Sequence, residues 1–385
     1  MKKNVIFGAG SYGLQALKKL GREQTAYFLD NDKEKQGTSF QGLPVISAEE
    51  FLPMKEQYHV VIASRLYAGN MERQLLEAGV ADYSFFLKEF LRFYETEELI
   101  YNPYEAVPEV GTEAEWNKSR RQELARKAVY EETEFLYEKQ GLFNHIEIET
   151  INRCNGSCSF CPVNCKVDPR EKKVMEKDLF EKIVEELAGM DYAGRFTTFS
   201  NNEPLLDERI IDFNHYARKR LPKARMHLFT NGTLLTLDKF KALTEVLDEL
   251  IIDNYQQELK LIKPCREVAE YAKQHPEIAK KVTIVLRKPH EILTSRGGTA
   301  PNRREMEDYG KERCVLPFKQ LIVRPDGKIS LCCNDAVGAY TLGDLTKESI
   351  LDVWYGEAFQ KVRRCLYEGR ENWGKCRYCD AFSMG

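Results

Sequence analysis

No cysteine occurs before residue 154 of this 385-residue chain, and no apolar run approaches the roughly 20 residues that cross a bilayer. The first lack excludes an evenly stapled disulfide scaffold. The second, with a mean hydropathy of -0.50, speaks against a membrane-spanning helix. Positive charge is not in excess either: 57 Lys and Arg stand against 60 Asp and Glu, a formal net charge of -3. No basic field therefore draws the chain to nucleic acid or an anionic membrane. Proline is scarce at 14 residues and hydrophobic residues make up 43%, which excludes disorder for most of the chain. Lys2-Lys3 followed by Asn4 to Phe7 mimics the start of an export signal, but Gly8-Ala9-Gly10 interrupts the apolar stretch too early. The expectation is a cytoplasmic protein of two or three domains whose partners are small or polar, with no nucleic acid and no membrane among them.

What is there is cysteine, eleven in all and sharply clustered. Three fall within 154 to 161, and another close pair stands at Cys376 and Cys379. In a reducing compartment such clusters point to metal or redox chemistry rather than to cross-links.

Along the chain the pattern is α/β. Residues 1–95 alternate short β-rich runs with helical stretches, the rhythm of a Rossmann-like parallel sheet. Residues 96–144 read as a linker followed by a charged amphipathic helix from about Glu113 to Lys139. A second β/α series fills 145–305, with strands expected near His145–Thr150, Phe196–Phe199, Met226–Phe229, Leu250–Ile252 and Val282–Leu286. Five or six such units make a partial (β/α)6 barrel of the TIM type, with functional residues at the strand C-terminal ends. The last segment, 306–385, changes to a small α+β domain: a hairpin around Asp326-Gly327, a helix from about Ser349 to Tyr367, and a Cys-rich tail.

Cys154-Asn-Gly-Ser-Cys158-Ser-Phe-Cys161 directly follows the first strand of the second series. Three thiolates in one loop can hold three irons of a cubane and leave the fourth open for a ligand. A structural zinc site fits this spacing poorly, because zinc uses four ligands and usually paired C-x2-C units. A closed cluster completed by Cys165 would instead serve an electron carrier. The strand-end position, where open catalytic sites are built, favours the open cluster.

The C-x3-C-x2-C loop, with an aromatic residue before its last cysteine, resembles the radical S-adenosylmethionine (SAM) superfamily, and the resemblance extends over residues 145 to 379. It implies a 4Fe-4S cluster on Cys154, Cys158 and Cys161 that cleaves bound SAM to a 5'-deoxyadenosyl radical. Ser200-Asn201-Asn202-Glu203-Pro204 occupies the place of that family's Gly-Gly-Glu-Pro stretch, with asparagines where the glycines stand. By the same resemblance, Ser200, Asn202, Glu203 and Asn231 are candidates for SAM contacts, Asp253 for its ribose and Arg287 for its carboxylate. As isolated residues, these are also ordinary strand-end turns and solvated charges.

Cys314, Cys332-Cys333 and Cys376-x2-Cys379 form a second set that suits zinc or another iron-sulfur cluster by spacing alone. The strings Pro325-Asp-Gly-Lys-Ile329 and Leu342-Gly-Asp-Leu345 between these cysteines resemble the SPASM/twitch extension of radical SAM enzymes. With no further close cysteine group, the resemblance implies one auxiliary 4Fe-4S cluster, on Cys314, Cys332, Cys376 and Cys379. Cys333 is expected on the opposite strand face from Cys332, and which of the two is the ligand stays open.

At the N-terminal end, Gly8, Gly10 and Gly13 follow a strand and open a helix, and Asp30 ends the next strand. This is a phosphate cradle with a carboxylate placed for ribose, or else a scaffold whose glycines permit close packing. The resemblances together imply a radical SAM oxidoreductase or epimerase of a carbohydrate-like or nucleotide-linked polyol. An external donor such as flavodoxin or ferredoxin would supply electrons, and the substrate would be a small molecule or nucleotide sugar. A peptide or protein maturase and a non-catalytic electron carrier or redox sensor are the alternatives.

Overall fold

The computed structural model describes residues 2–64, 68–86, 98–105, 126, 129–130 and 132–381. The chain divides into two compact units, Met1–Leu91 with Glu123–Glu138, and Arg92–Gln122 with Lys139–Gly385. The expected linker is thus shared between them. Of the helix expected from Glu113, residues 132–138 are helical, and most of the remainder lies outside the described residues.

In the first unit six strands, β1 (Lys3–Phe7), β2 (Thr25–Leu29), β3 (Ser39–Phe40), β4 (Leu43–Ile46), β5 (Tyr58–Ile62) and β6 (Tyr83–Phe85), lie in the order β3-β4-β2-β1-β5-β6. All neighbours are parallel except β3 and β4. β1 is central because its apolar run is buried on both sides: Val5 and Phe7 enter one core and Ile6 the other. Strand order reverses between β1 and β5, which puts the loop from Gly8 at the end of the sheet where such folds bind ligands. Gly13 is required for packing, since a Cβ there would stand 1.9 Å from the Gly8 carbonyl oxygen. At Gly10 a Cβ would meet nothing within 4 Å.

The second unit holds β7 (Ile100–Tyr101), β8 (His145–Ile148), β9 (Arg195–Thr197), β10 (Arg225–Thr230), β11 (Glu249–Tyr255), β12 (Val282–Arg287), β13 (Gln320–Val323) and β14 (Ile329–Ser330). Their order is β14-β13-β8-β9-β10-β11-β12-β7. Only β13 and β14 pair antiparallel, as the hairpin expected around Gly327, whose φ is 79°. Five strands come from the segment expected to form the barrel. No sixth strand follows within 288–305, where Pro289, Pro301 and three successive left-handed residues, Arg296 to Gly298, prevent an extended run. The place beside β8 goes instead to β13, which pairs with it in parallel. The C-terminal hairpin is therefore continuous with the barrel sheet.

Alternation along β8 sends Ile146 and Ile148 into the apolar core beneath the helices, and His145, Glu147 and Glu149 to the other face. That inner face is polar and dry. His145 and His227 meet at 5.3 Å with their rings tilted by 45°, and burial pushes the His145 imidazole down to about 3, so it is neutral. The helix expected from Ser349 to Tyr367 is two, Ile350–Tyr355 and Glu357–Glu368, parted at Gly356.

Candidate active site

At the C-terminal ends of β8 to β11 lies an open hollow of about 650 Å³. Cys154, Cys158 and Cys161 all line it. The loop that carries them is tied from Ser159 N to the Pro289 carbonyl at 2.9 Å, and at short range by one residue that the sequence reading passed over, Asn164. Its amide donates to the carbonyls of Cys158 at 3.0 Å and Cys161 at 2.9 Å. The Gly156 N–H donates to Cys154 Sγ at 3.2 Å, and the Gly156 carbonyl accepts from Cys165 N at 2.9 Å. Cys165 itself is exposed and is not among the hollow's lining.

Burial pushes the thiols of Cys154 and Cys158 up to about 12, with the neighbouring cysteines adding to the shift. Such thiols do not ionise alone near neutral pH, whereas iron coordination deprotonates them. Among the described residues, no three His, Cys, Asp or Glu side chains gather as the ligands of a single ion would. A cubane asks for a different arrangement, three thiolates around a shared void, each on its own iron. The donor set fits the group.

Glu203 lines the hollow and is tied to the strand end beneath it. It is 1% exposed, and its carboxylate accepts from Leu205 N at 3.1 Å, Thr230 Oγ1 at 2.7 Å and Asn231 N at 2.7 Å. Burial raises it to about 7 while these donors hold it down. It therefore clamps the end of β10 beneath the hollow. Asn231 passes the constraint to the cysteine loop, its amide donating to Asn155 Oδ1 at 2.8 Å. Ser200 N donates to Asn202 Oδ1 at 3.0 Å, and the buried Asn202 Nδ2 has no hydrogen-bond partner among the described residues. That donor sits on a lining residue.

Asp253 also lines the hollow. Burial raises its carboxyl to about 6, opposed by Arg287. Arg287 is not in the lining; its guanidinium faces Asp253 at 3.6 Å and Glu291 at 3.7 Å. The structure thus joins Ser200, Asn202, Glu203, Asn231 and Asp253 in one place and sets Arg287 behind them. Phe199 and Phe229, stacked at 5.3 Å, together with Tyr255 and Arg296, complete the lining. The aromatics were legible as strand-end positions of the same β/α units, but nothing in their spacing marked them.

Cys314, Cys332, Cys376 and Cys379 form a second neighbourhood. Burial raises the Cys332 thiol well above its ordinary range, and the nearness of Cys333, Cys314, Cys379 and Cys376 raises it further. Cys376 and Cys379 are raised likewise. Arg370, 1% exposed, ties this set together by donating to the carbonyls of Arg313, Cys379 and Ala381. Cys332 lies in a bend and Cys333 in a turn beyond β14, so strand alternation does not separate them. The Cys333 thiol, raised to about 12 by burial, feels Glu147, Arg296 and Cys379 and a hydrogen bond with Gln320.

In the first unit, Asp30 does not point freely at a ligand. Its Oδ2 accepts from Ala9 N at 2.7 Å and its Oδ1 from Asp32 N at 2.9 Å. Gly8, Gly10, Gly13 and Asp30 are brought together at one strand end, with the carboxylate tied to the glycine loop.

Residues 148–256 match the family model for the radical SAM superfamily, and residues 314–380 the SPASM model of an iron-sulfur cluster-binding domain. The S-adenosyl-L-methionine-dependent 2-deoxy-scyllo-inosamine dehydrogenase of Niallia circulans is 26% identical over 247 residues, 63% of this chain and 95% of that protein. The crystal structure of BtrN in complex with AdoMet and 2-DOIA is similar over 63% of this chain and 95% of its own, at 26% identity and a TM-score of 0.55. No helix among the described residues is long and apolar enough to cross a membrane. With a three-cysteine loop at a strand end, a second cysteine neighbourhood and both domain matches, this chain is a radical SAM enzyme that uses 4Fe-4S clusters and SAM and carries a C-terminal SPASM domain.

Proposed function

We propose that the enzyme oxidises a secondary alcohol of an aminocyclitol-like polyol to a ketone. The similarity to an aminocyclitol dehydrogenase over nearly that protein's whole length carries this reading. The hollow's lining of amides, two carboxylates and a guanidinium supplies hydrogen-bonding groups suited to a small hydroxylated substrate. The four-cysteine auxiliary set, read as one cluster, supports oxidation because the second electron needs an acceptor.

Cys154, Cys158 and Cys161 would hold the cluster, which would supply the electron for SAM cleavage. Glu203 and Asn231 keep the floor beneath it fixed, the Asn202 amide and Asp253 bind SAM, and Arg296 holds a substrate oxygen. Hydrogen abstraction from the carbinol carbon converts the nucleoside radical to 5'-deoxyadenosine. The hydroxyl proton then leaves, and Cys314, Cys332, Cys376 and Cys379 would hold a cluster able to take up the remaining electron. In sum, alcohol and SAM give ketone, methionine, 5'-deoxyadenosine and a proton. An external flavodoxin or ferredoxin primes the first cluster, and the setting is cytoplasmic.

The first unit is read as a nucleotide-binding module, its loop at Gly10 open to a phosphate. Gly10→Val should weaken binding of a nucleotide sugar to the full chain without touching uncoupled SAM cleavage. Unchanged binding would remove the nucleotide-linked form of the substrate. For the main reading, the reconstituted enzyme is incubated anaerobically with SAM, reductant and 2-deoxy-scyllo-inosamine. One ketone per 5'-deoxyadenosine supports oxidation. A product of unchanged mass would replace oxidation by epimerisation, and abstraction from a peptide alone would favour a maturase.

A further inference from the structure

Arg296 lines the radical hollow, yet its loop is fastened elsewhere. Ser295 N donates to both carboxylate oxygens of Asp380, at 2.8 and 2.9 Å, and Ser295 Oγ donates to Asp380 Oδ1 at 2.9 Å. Asp380 directly follows Cys379. From the other side, Arg296 Nη1 donates to Asn201 Oδ1 at 2.6 Å, and Asn201 Nδ2 donates to the Cys333 carbonyl at 3.2 Å. Cys333 directly follows Cys332. The loop is thus held between the residues that come next after two cysteines of the auxiliary set.

It also needs holding. Arg296, Gly297 and Gly298 have φ of 47°, 60° and 83°. A left-handed arginine persists only where its surroundings over-determine it. Ser295 is 6% and Asn201 9% exposed, so neither contact is a solvated accident. Asn201 stands where the resembled family has glycine, and a glycine would make none of its side-chain bonds.

We propose that Asp380 and Asn201 are positioning residues through which the auxiliary cysteine region sets the Arg296 loop, and with it one wall of the radical hollow. The auxiliary region then shapes the first site as well as accepting an electron from it. Calling that wall the substrate side rests on the polyol reading; the fastening itself does not.

The test follows amide hydrogen exchange by mass spectrometry in peptides spanning 290–300 of the reconstituted full chain. Asp380→Ala should retain about eight irons and unchanged uncoupled SAM cleavage. Exchange at Ser295 should quicken about tenfold, as expected for a lost charge-assisted hydrogen bond. Asp380→Asn, whose amide oxygen still accepts, should restore part of the protection, and Cys376→Ala should deprotect the same peptides. Full protection in Asp380→Ala with both clusters present would overturn the proposal. So would loss of auxiliary iron in both Asp380 variants, since Asp380 would then serve the cluster and not the loop. No substrate enters this measurement, so failure of the polyol reading leaves its outcome intact.

Discussion

Cys154, Cys158 and Cys161 share one short loop, whereas Cys314, Cys332, Cys376 and Cys379 meet only through a hairpin, two helices and a buried arginine. The first set sits in a loop tied at short range by Gly156 and Asn164, with longer ties from Asn155 to Asn231 and from Ser159 to Pro289. The second depends on Arg370 reaching carbonyls on both sides of the set, at Arg313 and Cys379. A locally built site should survive damage to the tail, and the tail should survive damage to the loop. The predictions seek to break that separation.

The largest effect belongs to the triple change of Cys154, Cys158 and Cys161 to Ala. It should abolish 5'-deoxyadenosine formation and lower iron from about eight to about four per chain. Retained cleavage would sink the assignment, and four irons with one zinc in the unaltered protein would make the tail structural.

Arg370→Met comes next. It leaves the half-buried carbonyls of Arg313, Cys379 and Ala381 without this partner, so thermal unfolding should shift down and the auxiliary iron should be lost while uncoupled SAM cleavage persists. Loss of cleavage as well would show that the two sites are one folding unit.

Smaller still is Glu203→Gln. Its amide nitrogen would face an N–H where an oxygen now accepts from Asn231, and the KM for SAM should rise about tenfold for one lost charge-assisted bond. An unchanged KM would mean that the floor does not position SAM. The smallest effect is that of Cys165→Ala, which should change neither iron content nor cleavage. Loss of the first cluster on that change would restore the closed, ferredoxin-like alternative.

The same contrast explains what was legible. The Cys154 loop could be read because its chemistry is carried by spacing within eight residues. The hairpin could be read because Asp326-Gly327 is a local turn signal, and the β/α series because β8 to β12 are apolar runs at regular intervals. Long-range partners left no such trace. The capture of Arg287 by Asp253 and Glu291, the β13 strand completing the barrel sheet, and the Asn201–Arg296 bond each join segments with no pattern in common. Glu203 was found by its motif, but its role as a clamp appears only when Thr230 and Asn231 are seen against its carboxylate.

The central claim, that a SAM-derived radical removes the carbinol hydrogen of a small polyol, is tested most directly by isotope transfer. The reconstituted enzyme is given SAM, reductant and 2-deoxy-scyllo-inosamine deuterated at the carbon to be oxidised, and 5'-deoxyadenosine is analysed by mass spectrometry. One deuterium in the nucleoside, together with loss of that deuterium from the ketone product, is the expected result. Unlabelled 5'-deoxyadenosine in the presence of this substrate, with no ketone formed, would contradict it.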